Sequence, residues 1–114
     1  MTTTYEGWDC YETWAVNLWI ANEEGAYRYW RDLVAVALDH HGYADAESDD
    51  ERAKARDEAM RGVAAMLEAE YEEGMPVVEG VYRDLLTTAL QAVNWHEIAA
   101  SMVDEMVVEL EAKP

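Results

Sequence analysis

Three pairs set a capping side chain three positions before a glutamate at the head of an apolar run: Asp9 with Glu12, Ser48 with Glu51 and Asn94 with Glu97. The first residue can accept from the amide three positions on while the glutamate reaches back toward the first residue's own amide, so each pair marks a helix start. Apolar residues then recur at the three-and-four spacing that keeps one helical face toward a core. This pattern predicts helices over about 10–22, 24–40, 48–73 and 81–93, and a last one carrying the apolar face of residues 95–110. Gly42 closes the second helix, Gly74 suits the C′ position after the third, and Pro76 cannot extend it. The short stretch 75–78 lies too close to proline for a strand. The expected architecture is an all-α, compact bundle of about five helices, one acidic domain over residues 1–114.

The first helix carries Tyr11, Trp14, Ala15, Leu18 and Trp19 on one side and Val16 and Ile20 on the other, which places it at the centre of the bundle. Eight of the twelve aromatic residues, Tyr5, Trp8, Tyr11, Trp14, Trp19, Tyr27, Tyr29 and Trp30, fall within the first 30 positions and read as an aromatic core. Asn17, polar on an apolar helix, is expected to find a partner inside that core. Tyr29 and Val36, seven apart, fall off the main apolar face of the second helix. A contact with a partner or with a second copy in a homodimer stands against the plainer reading of two isolated exposed side chains.

Charge narrows the function classes. There are 25 Asp plus Glu against 8 Lys plus Arg, a net −17, which repels phosphate backbones and anionic lipid. Neither direct nucleic-acid binding nor a membrane role is expected, and no apolar run approaches the roughly 18 residues of a membrane span. The 51% apolar content with 5 Trp and 7 Tyr argues against disorder. The single Cys10 permits no internal disulfide, which fits a reducing, cytoplasmic setting in a host cell.

The negative charge gathers in three zones: residues 1–24 carry −5, residues 62–79 carry −5 and residues 97–114 carry −4. The front of the third helix is expected to neutralise itself through Asp50–Lys54, Lys54–Glu58 and Asp57–Arg61 pairs. The later acids lack such neighbours. Glu68, Glu70, Glu72 and Glu73 stand together, and Glu97, Asp104 and Glu111 recur every seven residues as a ridge opposite the apolar face, each roughly 10 Å from the next by helical rise.

Catalytic and metal chemistry find little support. Asp45, Glu47 and Asp49 open like a calcium loop, but Asp50 stands where glycine is needed and Arg56 where glutamate is needed. His40, His41 and His96 form no zinc spacing, and Cys10 lies near Glu6, Asp9 and Glu12, which deactivate a thiol. No metal, cofactor or catalytic residue is therefore assigned, and the chain is expected not to be an enzyme. Glu70-x-x-Glu73 is half of a paired carboxylate signature, which keeps a magnesium-dependent nucleotide hydrolase as a distant alternative.

The stretch Gly7-Trp8-Asp9-Cys10-Tyr11-Glu12-Thr13-Trp14-Ala15-Val16-Asn17-Leu18-Trp19, with Asn22 and Glu23 after it, resembles the N-terminal signature of a family of small uncharacterised proteins encoded by bacteriophages and plasmids. Val93-Asn94-Trp95-His96-Glu97-Ile98-Ala99 resembles its second signature. The resemblance implies a mobile-element origin and assigns no activity. Combined with the charge, it makes an anti-CRISPR or anti-restriction protein the expectation: a DNA mimic whose Glu68, Glu70, Glu72, Glu73, Glu97, Asp104 and Glu111 pair with the basic surface of a host nucleic-acid-binding defence protein. The alternative is an acidic interaction module that binds a basic host or phage protein through Tyr29 and Val36. A solvated face that serves only solubility remains the competing account of the charge.

Overall fold

In the computed structural model, residues 4–112 are described; residues 1–3 and 113–114, the ends of the expected domain, lie outside them. Five helices follow one another: α1 Tyr11–Asn22, α2 Glu24–His40, α3 Asp49–Glu73, α4 Val81–Ala92 and α5 Trp95–Ala112. The fold is all-α, with no strand among the described residues. Local chemistry explains the starts. Glu23 accepts from Gly25 N (3.0 Å) and Ala26 N (2.8 Å) to open α2, and Ser48 Oγ accepts from Glu51 N (3.1 Å) to open α3. Asn94 Oδ1 accepts from Glu97 N (3.0 Å) at α5. Gly42, just past α2, takes φ +78°, as a left-handed helix stop requires.

The core lies where α3 runs along α5 with α2 laid against both. Val34 and Leu38 from α2, Val63 and Leu67 from α3, and Ile98 and Val103 from α5 are buried within it. Alanines at 55, 59, 64 and 99 are buried too, and small side chains at these positions let the helix axes approach closely. Tyr71 stacks on Trp95 with ring centroids 5.6 Å apart, sealing one end of the α3–α5 seam. The Cα radius of gyration, 15.7 Å, exceeds the roughly 13 Å of a compact chain of this length, and the principal extents are 53 × 34 × 23 Å.

The structure departs from the sequence expectations in several places. Helix α1 is peripheral: it buries only Thr13 and Ile20, while Trp19 is 74% exposed. An apolar circumference raised the expectation of a central helix, but α1 meets its neighbours along one side alone. Of the eight early aromatics only Trp30 is buried; Tyr5, Tyr11 and Trp14 instead cluster by their rings at the surface, and Asn17 is half-buried. Cys10, not Asp9, occupies the N-cap of α1 and makes no side-chain cap bond. Gly74 caps α3 in a right-handed conformation (φ −81°), so its value there does not lie in positive φ. Before α1, Tyr5 and Trp8 exchange backbone bonds (2.7 and 2.8 Å) around Glu6 and Gly7, both at positive φ, a tight turn of the kind that hairpins use.

Candidate functional site

The seven acidic residues expected to face a partner divide into two groups. Glu68, Glu72 and Glu73 are exposed, with no hydrogen-bond or ion-pair partner among the described residues. The other four are engaged within the molecule. Glu70 accepts from the Tyr29 hydroxyl (2.6 Å), Glu97 from Asp9 N (2.9 Å) and Glu111 from the Tyr43 hydroxyl (2.7 Å), while Asp104 pairs with Arg56 (2.6 Å). The heptad ridge on α5 is thus a seam. α3 presents Arg56 across the α3–α5 interface to Asp104, and Arg52 stands close enough to act electrostatically on the Tyr43–Glu111 pair. Nor do the four glutamates at the end of α3 form one patch. At about 100° per residue, Glu68 and Glu72 fall together and line a groove with Arg61, Trp95 and His96, whereas Glu70 turns toward α2.

Of the three pairs that spacing suggests at the front of α3 only Asp57–Arg61 is found, and two other contacts stand beside it. Asp57–Arg61 forms (2.9 Å), Arg52 pairs with Asp49, and Glu58 receives His41 (3.0 Å). Elsewhere Arg28 pairs with Glu24, and Arg31 reaches Glu109 on α5, which raises the pKa of the guanidinium. Five of the six arginines are thereby committed to acids of the chain itself. Among the described residues Glu6, Asp9, Glu12, Glu79 and Asp84 have carboxylates without such partners, and so do Asp32, Asp39, Asp45, Glu47 and Asp50, so unpaired negative charge is carried along most of the chain.

The two signature stretches meet in space. Thr13, fully buried, accepts from Asn94 N (2.8 Å) through Oγ1, and the Cys10 thiol donates to Ala92 O (3.2 Å). Glu97 accepts from Asp9 N, not from Asn94 N as a closed capping box would require. The amide that Glu97 leaves is the one that Thr13 satisfies, so the starts of α1 and α5 exchange caps. These residues lock the fold together, which sequence spacing alone could not reveal because the partners lie more than 80 positions apart.

Tyr29 and Val36 are exposed on α2, at 46% and 63%. The bond to Glu70 ties down the Tyr29 ring and raises the pKa of its phenol. Among the described residues no three His, Cys, Asp or Glu side chains converge to hold a metal ion, and of the Glu70–Glu73 pair Glu70 is already engaged by the Tyr29 hydroxyl. His96 Nδ1 lies 3.3 Å from Met60 Sδ. No helix is long and apolar enough to cross a membrane.

Over residues 1–113 the chain matches the model of a group described as a family of unknown function (DUF7249). No curated protein and no solved structure matches it.

Proposed function

Because the chain belongs to that family of unknown function, we propose a role from its charge and shape: an anti-defence protein of mobile-element origin, a DNA mimic that occupies the nucleic-acid-binding surface of a CRISPR effector or restriction enzyme. One observation carries the reading. The chain carries seventeen net negative charges on an elongated body 53 Å in its longest dimension, a strong excess of the sign that a nucleic-acid backbone presents. The free carboxylates Glu68, Glu72 and Glu73 serve as the phosphate surrogates, and those clamped to Tyr or Arg hold the scaffold that displays them. Inhibition is competitive and stoichiometric, with fast association that weakens as salt rises.

The test is expression in bacteria carrying defined CRISPR and restriction systems, followed by phage plaquing and capture of bound host proteins. Restored plaquing with a nucleic-acid-binding effector in the capture, displaced by added duplex DNA, is the expected result. The triple variant Glu68→Gln, Glu72→Gln, Glu73→Gln should weaken inhibition more than Asp104→Asn does. Inhibition that the triple variant and DNA both leave untouched would overturn the mimic.

A further inference from the structure

Six of the fourteen large apolar side chains exposed among the described residues lie on just two helices, Tyr11, Leu18 and Trp19 on α1 and Val81, Tyr82 and Leu85 on α4. The two helices pack against one another, and between them they bury only Thr13 and Ile20. By helical angle, Val81, Tyr82 and Leu85 share one outward face of α4, and Tyr11, Leu18 and Trp19 one outward face of α1. Tyr82 at 72% and Trp19 at 74% exposure are the residue types that most often anchor interfaces. Carboxylates with no partner among the described residues border these faces: Glu6, Asp9 and Glu12 at the start of α1, and Glu79 and Asp84 at the start of α4. An apolar centre within a charged rim is the layout of a protein interface, and here five carboxylates stand against a single base, Arg83 on α4.

We propose that the exposed faces of α1 and α4 form a docking surface for a basic amphipathic segment of a partner protein, its apolar side chains set on Trp19, Tyr82 and Leu85 and its Lys or Arg side chains on the acidic rim. Charge selects this occupant over a second copy. Two such rims brought together would place like charges face to face, whereas a basic segment neutralises them, and an Arg guanidinium can also stack on the Trp19 ring. The inference rests on the reading of a positively charged target and adds where that target is held: carboxylates steer it, and the α1/α4 faces supply the contact that charge alone lacks.

The probe is a fluorescein-labelled helical Leu/Lys peptide with its leucines on one face, compared with an oligolysine of equal charge by fluorescence anisotropy at physiological salt. The intact protein should bind the amphipathic peptide at least tenfold more tightly than oligolysine. Trp19→Ala with Leu85→Asp should remove most of that advantage, whereas Val108→Asp, at an exposed position of α5, should leave it. Equal binding of the two peptides, or an advantage that survives Trp19→Ala with Leu85→Asp, would overturn the proposal. Sedimentation equilibrium supplies a further check: a dimer dissociated by Leu85→Asp would assign the surface to a second copy instead. Loss of the mimic reading looks different, because it appears as insensitivity to Glu68, Glu72 and Glu73 neutralisation and to DNA.

Discussion

Thr13 shows how one hydroxyl can join distant parts of this chain. Its Oγ1 is the acceptor for Asn94 N at the start of α5, in a fully buried position. Thr13→Val keeps the shape and strands that amide, so unfolding should cost about 1–3 kcal/mol less, read as a lower denaturation midpoint at unchanged slope. A loss within about 0.5 kcal/mol would show that the amide finds another acceptor. The tyrosines give a second residue-scale outcome. Burial and the Glu111 carboxylate raise the pKa of the Tyr43 phenol, the bond to Glu70 raises that of Tyr29, and burial raises that of Tyr71. A phenol whose folded pKa lies above its unfolded value of 10.0 contributes stability that is complete below pH 10 and lost as pH climbs through the folded value. Ultraviolet titration of the folded protein should therefore show a later phase for these three. A single phase at the ordinary tyrosine range would contradict the hydrogen-bonded geometry.

At the scale of the elements, α1 and α4 are the least committed to the core. A 12-residue helix is marginal alone, and α4 buries none of its side chains. Its amides should exchange with deuterium through local opening well before those of α3 and α5, whose faces meet in the core. Exchange as slow as that of α3 would mean that α4 opens only when the whole molecule does. The five helices themselves were legible because capping residues, Gly42 and Pro76 act on their immediate neighbours. Which helix lies inside was not. Leu67 and Leu85 are chemically alike, yet one is fully buried and the other 64% exposed. Likewise Trp30 and Trp19 differ only in which side of a helix another element covers, and no local pattern encodes that. The site was legible in the same partial way. Glu68, Glu72 and Glu73 stand exposed as an unbalanced charge run suggests, but the partners of Glu97, Asp104 and Glu111 exist only once α1, α3 and the end of α2 have been assembled around α5.

For the whole molecule, the charge that the proposed function needs is a load on the fold. Five arginines are held in pairs with exposed or half-exposed side chains, and such pairs each contribute little. The repulsion is spread over −17 and reaches farther than any one pair, because the screening length is about 30 Å at 0.01 M salt and about 10 Å at 0.1 M. Added salt should therefore relieve repulsion more than it weakens attraction, and the melting temperature should rise steadily from about 0.01 to about 0.3 M sodium chloride. A fall over that range would mean that the ion pairs dominate and that the surface is balanced despite its total. Neutralising Glu68, Glu72 and Glu73 together should raise the melting point at low salt and flatten this dependence, since none of the three has a partner among the described residues to lose. If their charge is kept for a target, the same variant must be more stable and a poorer inhibitor. A stabilised variant that inhibits fully would separate the acidic surface from function and leave solubility as its role.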